Sequence, residues 1–125
     1  MNVPEDLRYT SHDEWISIDG DVITVGITDY AQDQLGELVH VEFPDVEDSF
    51  EQGEAVCEVE SVKAVAEVYA PCAGTVTAVN EDLEDDAEQV NKSPYKSWLF
   101  RMQVTDAGAL NDLLDAAAYT EKIGS

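Results

Sequence analysis

Residues 55–70 read Ala-Val-Cys-Glu-Val-Glu-Ser-Val-Lys-Ala-Val-Ala-Glu-Val-Tyr-Ala, small or β-branched residues alternating at period two, the pattern of half-buried strands. Folded back with Val62 and Lys63 at the tip, the segment sets Val59 opposite Ala66 and Cys57 opposite Val68 on one apolar face. Glu58 then faces Glu67, and Glu60 faces Val65, on the other. A slip of one residue would scramble both faces, so this register is the self-consistent one. The chain is thereby committed to antiparallel pairing at its centre.

The tip is unusual. Tight two-residue hairpins favour Asn-Gly or Asp-Gly because the turn needs positive φ. Val62-Lys63 offers neither, so the strands are expected to impose the turn and leave the tip free to serve a partner. Lys63 is also the one lysine or arginine between Arg8 and Lys92, in a chain with 6 Lys+Arg against 28 Asp+Glu. It is either an ordinary surface lysine or one kept for chemistry on its amine, and the hairpin around it favours the second. A Schiff-base lysine needs a depressed pKa. Glu58, Glu60 and Glu67 would instead favour the charged, non-nucleophilic amine, and a Ser61/Lys63 dyad fails for the same reason. Modification by another enzyme is the better reading.

Elsewhere the pattern is mostly strands. Trp15–Ile18 and Val22–Val25 flank Asp19-Gly20-Asp21, a hairpin signal. Thr28 suits the N-cap of a short helix that ends before Gly36. Leu38–Phe43 alternates as a strand, Pro71–Gly74 turns into 75–79, and Trp98–Val104 alternates again. Leu110, Leu113, Leu114 and Ala117 fall on one helical face, which predicts a C-terminal helix packed on the strands. The expected fold is a single domain over residues 1–125, mainly β, with two small antiparallel sheets face to face.

Composition bounds the partners. The 125 residues suit one domain that buries about two-thirds of its unfolded surface. A net charge of −22 excludes nucleic acid and anionic membranes as natural partners, since phosphate binding needs clustered Lys and Arg. It favours docking to basic surfaces on larger enzymes. Lysine depletion with abundant carboxylates also resembles adaptation to a salt-rich cytoplasm, so stability should fall at low ionic strength. The start, Met-Asn-Val-Pro-Glu-Asp, carries neither the basic nor the apolar stretch of a signal peptide, and no run reaches the length of a membrane span. The expected location is cytoplasmic, where Cys57 and Cys72 are small buried thiols rather than a disulfide. His12, His40 and the cysteines lack zinc-site spacing, and the acidic stretches 45–54 and 81–88 lack a Ca²⁺-loop pattern.

Glu60-Ser61-Val62-Lys63-Ala64 resembles the lipoylation site of the glycine cleavage system H-protein family. So do Leu7-Arg8-Tyr9 with Glu14-Trp15, Gly26–Gln32 with Leu35-Gly36-Glu37, Val41–Pro44, Pro71 with Ala73-Gly74 and Val76, and Asn91 with Ser93-Pro94-Tyr95 and Trp98-Leu99. The resemblance runs from about Leu7 to Tyr119. It departs at Asp13, where the family usually has His, and at Glu47, where glycine is common. The Tyr95–Trp98 segment is shorter than in many members.

The resemblance implies a barrel-sandwich hybrid of the lipoyl/biotinyl type, with a short internal helix and a C-terminal helix. It implies lipoic acid in amide linkage to Lys63, with Glu60 and Gly74 helping the lipoylating enzyme recognise its target. Three clients follow from it: a pyridoxal-phosphate glycine decarboxylase, a tetrahydrofolate-dependent aminomethyltransferase and a dihydrolipoyl dehydrogenase. The chain itself would be a carrier without a reaction of its own. Glu14 matches a residue lining the cleft into which the loaded arm folds, and Glu67 is a second candidate contact. Either carboxylate would hold a charged amine by a charge-assisted hydrogen bond, and for both the plain alternative is a solvated surface group. A biotin carrier usually has methionines beside its lysine, where Val62 and Ala64 stand here. A dehydrogenase lipoyl domain usually has Asp-Lys-Ala at the tip and flexible linkers. An unmodified binding module or a lipoyl-relay protein remains as the alternative.

Overall fold

A computed structural model describes residues 2–124. The strands are β1 (Arg8–Tyr9), β2 (Glu14–Asp19), β3 (Val22–Ile27), β4 (Leu38–Glu42), β5 (Ser49–Phe50), β6 (Ala55–Ser61), β7 (Val65–Tyr69), β8 (Gly74–Val79) and β9 (Phe100–Val104). They form a six-stranded sheet in the order β1-β2-β3-β9-β8-β5 and a three-stranded sheet in the order β4-β6-β7. Every pairing is antiparallel. The helices are α1 (Asp29–Leu35), α2 (Gln89–Lys92) and α3 (Ala116–Ile123).

Alternation decides which residues meet between the sheets. In β9, Phe100, Met102 and Val104 are buried while Arg101 and Gln103 point out. Ile16, Ile23, Val25 and Val76 from the large sheet join Val41, Val59 and Val68 from the small one in a single apolar core. Burial of each such side chain contributes on the order of 1.5–3 kcal/mol. Cys57 and Cys72 are free and buried within this core, as expected of small apolar thiols.

The central hairpin adopts the expected register: Cys57 faces Val68, Glu58 faces Glu67, Val59 faces Ala66 and Glu60 faces Val65. The helix expected before Gly36 is α1. Thr28 Oγ1 accepts from the Ala31 N–H at 3.2 Å, and Gly36, at φ +82°, ends it. The alternation expected over 38–43 is interrupted, because a bulge between Leu38 and His40 leaves Val39 and His40 both exposed.

The expected C-terminal helix face is corrected. Residues Ala107–Asp112 form a 3-10 helix, and Leu113 and Leu114 run extended, with Leu114 bridged to Tyr9. The helix α3 begins only after Asp115, whose carboxylate accepts from the Ala118 N–H at 2.8 Å. Ala116 and Tyr119 are its buried residues, and Ala117 is exposed. Two strong acidic caps, Asp106 and Asp115, divide what the leucine spacing reads as one helix. Tyr119 stacks on Tyr9 with ring centroids 4.7 Å apart.

Two of the departures from the resemblance are the non-glycine residues with positive φ among the described residues, Asp13 at +65° and Glu47 at +80°. Asp tolerates this region better than most residues. Asp13 is also tied in, its carbonyl accepting from the Thr28 N–H and its carboxylate from the Tyr119 hydroxyl. Glu47 has no such compensation from its side-chain type; its N–H is held by the Val76 carbonyl at 2.8 Å.

Candidate functional site: an exposed lysine on a braced hairpin, and a cleft around a buried carboxyl

Lys63 stands exposed between β6 and β7. Neither Val62 nor Lys63 takes positive φ, so the turn is not of the Asn-Gly type. The expectation that the strands alone impose it is corrected by Ser61. Its buried Oγ accepts from the Ala64 N–H at 3.0 Å and the Lys63 N–H at 3.3 Å, and donates to the Ala64 carbonyl at 3.1 Å. A serine hydroxyl thus does locally what a second backbone acceptor would do in a tighter turn. It is fully engaged with the main chain, which leaves no nucleophilic role for Ser61 beside Lys63.

A second brace comes from outside the hairpin. The Val62 N–H donates to the Glu37 carbonyl at 3.0 Å. Gly36 lies beneath the lysine stem, since a Cβ there would sit 3.4 Å from Lys63 Cε and 3.9 Å from Nζ. The Gly36–Leu38 stretch is itself held by Asn91. Its Oδ1 accepts from the Leu38 N–H at 2.9 Å, and its Nδ2 donates to the Gly36 carbonyl at 2.8 Å and to Gln32 Oε1 at 2.9 Å.

Glu14 is not a solvated surface carboxylate. It is 1% exposed, and its Oε1 accepts from the Thr10 hydroxyl at 2.8 Å while Oε2 accepts from the Tyr69 N–H. It lines a cleft of about 270 Å³ together with Tyr9, Thr10, His12, Tyr69 and Leu113. Burial pushes its pKa up from 4.5 to about 7, against the opposing pull of the Tyr69 and Thr10 hydrogen bonds and with a small further push from Asp13. A carboxyl poised in this way takes or gives a proton near neutrality, and ionises readily when a cation enters.

Glu67 does not share this cleft. It is exposed and borders a separate hollow of about 210 Å³ with Glu42, Phe43 and Glu58. Its charge, more than any other cause, raises the pKa of Tyr69. Glu60 is exposed at the tip end of β6, opposite Val65. Gly74 is buried at the start of β8, where a Cβ would lie 2.5 Å from the Gln103 carbonyl oxygen on β9. Close strand approach is therefore sufficient reason for glycine there. Sequence reading missed the work of Ser61, Asn91 and the Glu37 carbonyl. Serine at the first position of a turn is a usable signal for the first. The second joins residues 53 apart in sequence and leaves no local trace.

A family model described as Glycine cleavage H-protein matches residues 7–125. The glycine cleavage system H protein of Staphylococcus carnosus is 50% identical over 125 residues, covering 99% of each chain. That of Staphylococcus haemolyticus is 47% identical with the same coverage. The crystal structure of a glycine cleavage system H protein from Mycobacterium marinum superposes with a TM-score of 0.89 at 38% identity, covering 98% of this chain and 99% of that one. The lysine-tipped hairpin thus stands in a lipoyl-type sandwich, and the chain belongs to the glycine cleavage H-protein family, whose members are non-catalytic shuttles carrying lipoic acid on a lysine.

Proposed function

We propose that Lys63 is the lipoyl attachment point of this carrier. The observation that carries this is the exposed amine at a turn whose backbone is fixed by Ser61 and by the Glu37 carbonyl. The amine is open to a modifying enzyme, while the peptide that enzyme must grip is rigid. When attached, the lipoyl group supplies a dithiol–disulfide pair able to carry an aminomethyl unit. The chain's own residues then position and shelter. Glu14, buried yet reachable from the cleft, is suited to hold a cationic amine, and Tyr9, Tyr69 and Leu113 exclude water around it. Glu67, outside that cleft, is the weaker contact. Glu60, exposed near the tip, is placed to meet the lipoylating enzyme; Gly74 would act on it only through the path of β8.

The clients in this reading are a pyridoxal-phosphate glycine decarboxylase, a tetrahydrofolate-dependent aminomethyltransferase and a dihydrolipoyl dehydrogenase. The net charge of −22 favours basic docking surfaces on them. Among the described residues no helix is long and apolar enough to cross a membrane. A cytoplasmic location and a salt-rich host are part of the proposal, the latter motivated by the acidity alone. Intact mass of protein from its native host, with peptide mapping, tests the attachment point: a single lipoyl increment on Lys63 is expected, and an increment elsewhere or none would overturn it.

A further inference from the structure

We propose that Asn91 is a positioning residue for Lys63, acting through the Gly36–Leu38 segment on which the hairpin tip rests. This builds on the reading of Lys63 as the attachment point. Three separate contacts converge on that segment. Asn91 grips it on both sides of Glu37, at the Gly36 carbonyl and the Leu38 N–H. Glu37 presents its carbonyl to the Val62 N–H. Gly36 presents a bare Cα to the lysine stem.

Asn91 is itself well fixed. Val90, beside it in α2, is completely buried, and Ser97 Oγ donates to the Gln89 carbonyl at 3.0 Å. The Asn91 amide spends one donor and its acceptor on this one stretch of chain and its other donor on Gln32 Oε1 in α1. Aspartate would keep the bond from Leu38 but lose both donors and set a carboxylate against the Gly36 carbonyl. A residue that merely finished α1 would need only the Gly36 carbonyl, one of the orphan acceptors at a helix end. The added grip on Leu38 fixes the direction of the Glu37 carbonyl, and through it the tip.

The test uses the full chain as wild type, Asn91→Ala, Asn91→Asp and Gln32→Ala. Amide hydrogen exchange is measured at Val62, with Val25 and Met102 as references in β3 and β9. Lipoylation by a purified lipoate ligase with lipoate and ATP is followed by mass, with Lys63 mapped. In both Asn91 variants, Val62 exchange should rise about tenfold, the scale of one or two lost hydrogen bonds. The reference amides should stay protected, and kcat/KM for lipoylation should fall by a similar factor. Gln32→Ala leaves both grips beside Glu37 intact and should stay within about twofold of wild type in both readouts. Unchanged Val62 exchange in the Asn91 variants would overturn the proposal, as would faster exchange with undiminished lipoylation. Should Asn91→Ala not fold, the nearly isosteric Asn91→Asp decides by the same criteria. A wild-type chain left unmodified at Lys63 would refute the attachment point instead, with Val62 exchange still deciding the clamp.

Discussion

Replacing Glu14 by Gln should change how stability depends on pH, by an amount the buried site sets. In the folded chain the carboxyl has its pKa raised from 4.5 to about 7. The folded state therefore binds this proton more tightly than the unfolded state. That contribution to stability is full below pH 4.5 and is lost as pH rises through 7. Glutamine keeps the shape and an oxygen acceptor but has no proton to lose, so the loss should vanish in the variant. Between pH 5 and pH 8 the stability of Glu14→Gln relative to wild type should rise by about 2.5 kcal/mol, taking 1.36 kcal/mol for each tenfold change in proton affinity. Urea unfolding of both proteins at the two pH values, in high salt to screen the other carboxylates, reads the difference directly. Parallel behaviour, with a constant gap at both pH values, would show that Glu14 titrates as it does in water. The electrostatic account of the cleft would then be wrong.

Ser61→Ala removes the acceptor of the Lys63 and Ala64 N–H groups; we expect a loss of about 1–2 kcal/mol and faster exchange at Ala64 in particular, checked by calorimetry and amide exchange. Glu47→Gly relieves a non-glycine residue held at φ +80°. It should raise the melting temperature, by up to about 1 kcal/mol of stability after the added flexibility of glycine in the unfolded chain is counted. On the outer face of the small sheet, Glu42, Glu58 and Glu67 lie directly opposite one another across three strands. Like charges so placed repel, so Glu58→Gln should stabilise the fold at low salt by about 0.5 kcal/mol, read as a higher melting temperature, with the gain shrinking at high salt. Equal melting temperatures of the wild type in low and high salt would refute the idea that its acidity demands a salty medium.

The parts of this molecule set by short-range pattern were legible in the sequence. Residues 55–70 carried their own register because the face of Cys57, Val59, Ala66 and Val68 is uniformly apolar, and Thr28 with Gly36 marked both ends of α1 through cap chemistry that needs no tertiary context. Glu14 was readable as a candidate from its resemblance, but its burial was not. Burial there depends on Tyr9, Tyr69 and the 107–114 stretch, which meet only in the folded chain. The C-terminal leucines misled because 3.6-residue spacing was read without weighing Asp106 and Asp115 as caps. Leu110 enters the main core and Leu114 bridges to β1, so one is buried and the other half-buried without sharing a helix. The braces on the tip were missed for a different reason. One is a hydroxyl turned back on its own backbone, and the other depends on a main-chain carbonyl that every residue type possesses.

That last contact frees position 37 from the usual trade between architecture and recognition. The carbonyl that receives Val62 is indifferent to the side chain it belongs to, and the Glu37 side chain is exposed. A fluorophore, a photocrosslinker or a reversed charge can therefore be installed one residue from Gly36 without touching the hydrogen bond that holds the hairpin. Partner choice at this end of the molecule can drift, or be engineered, while the lysine stays where it is.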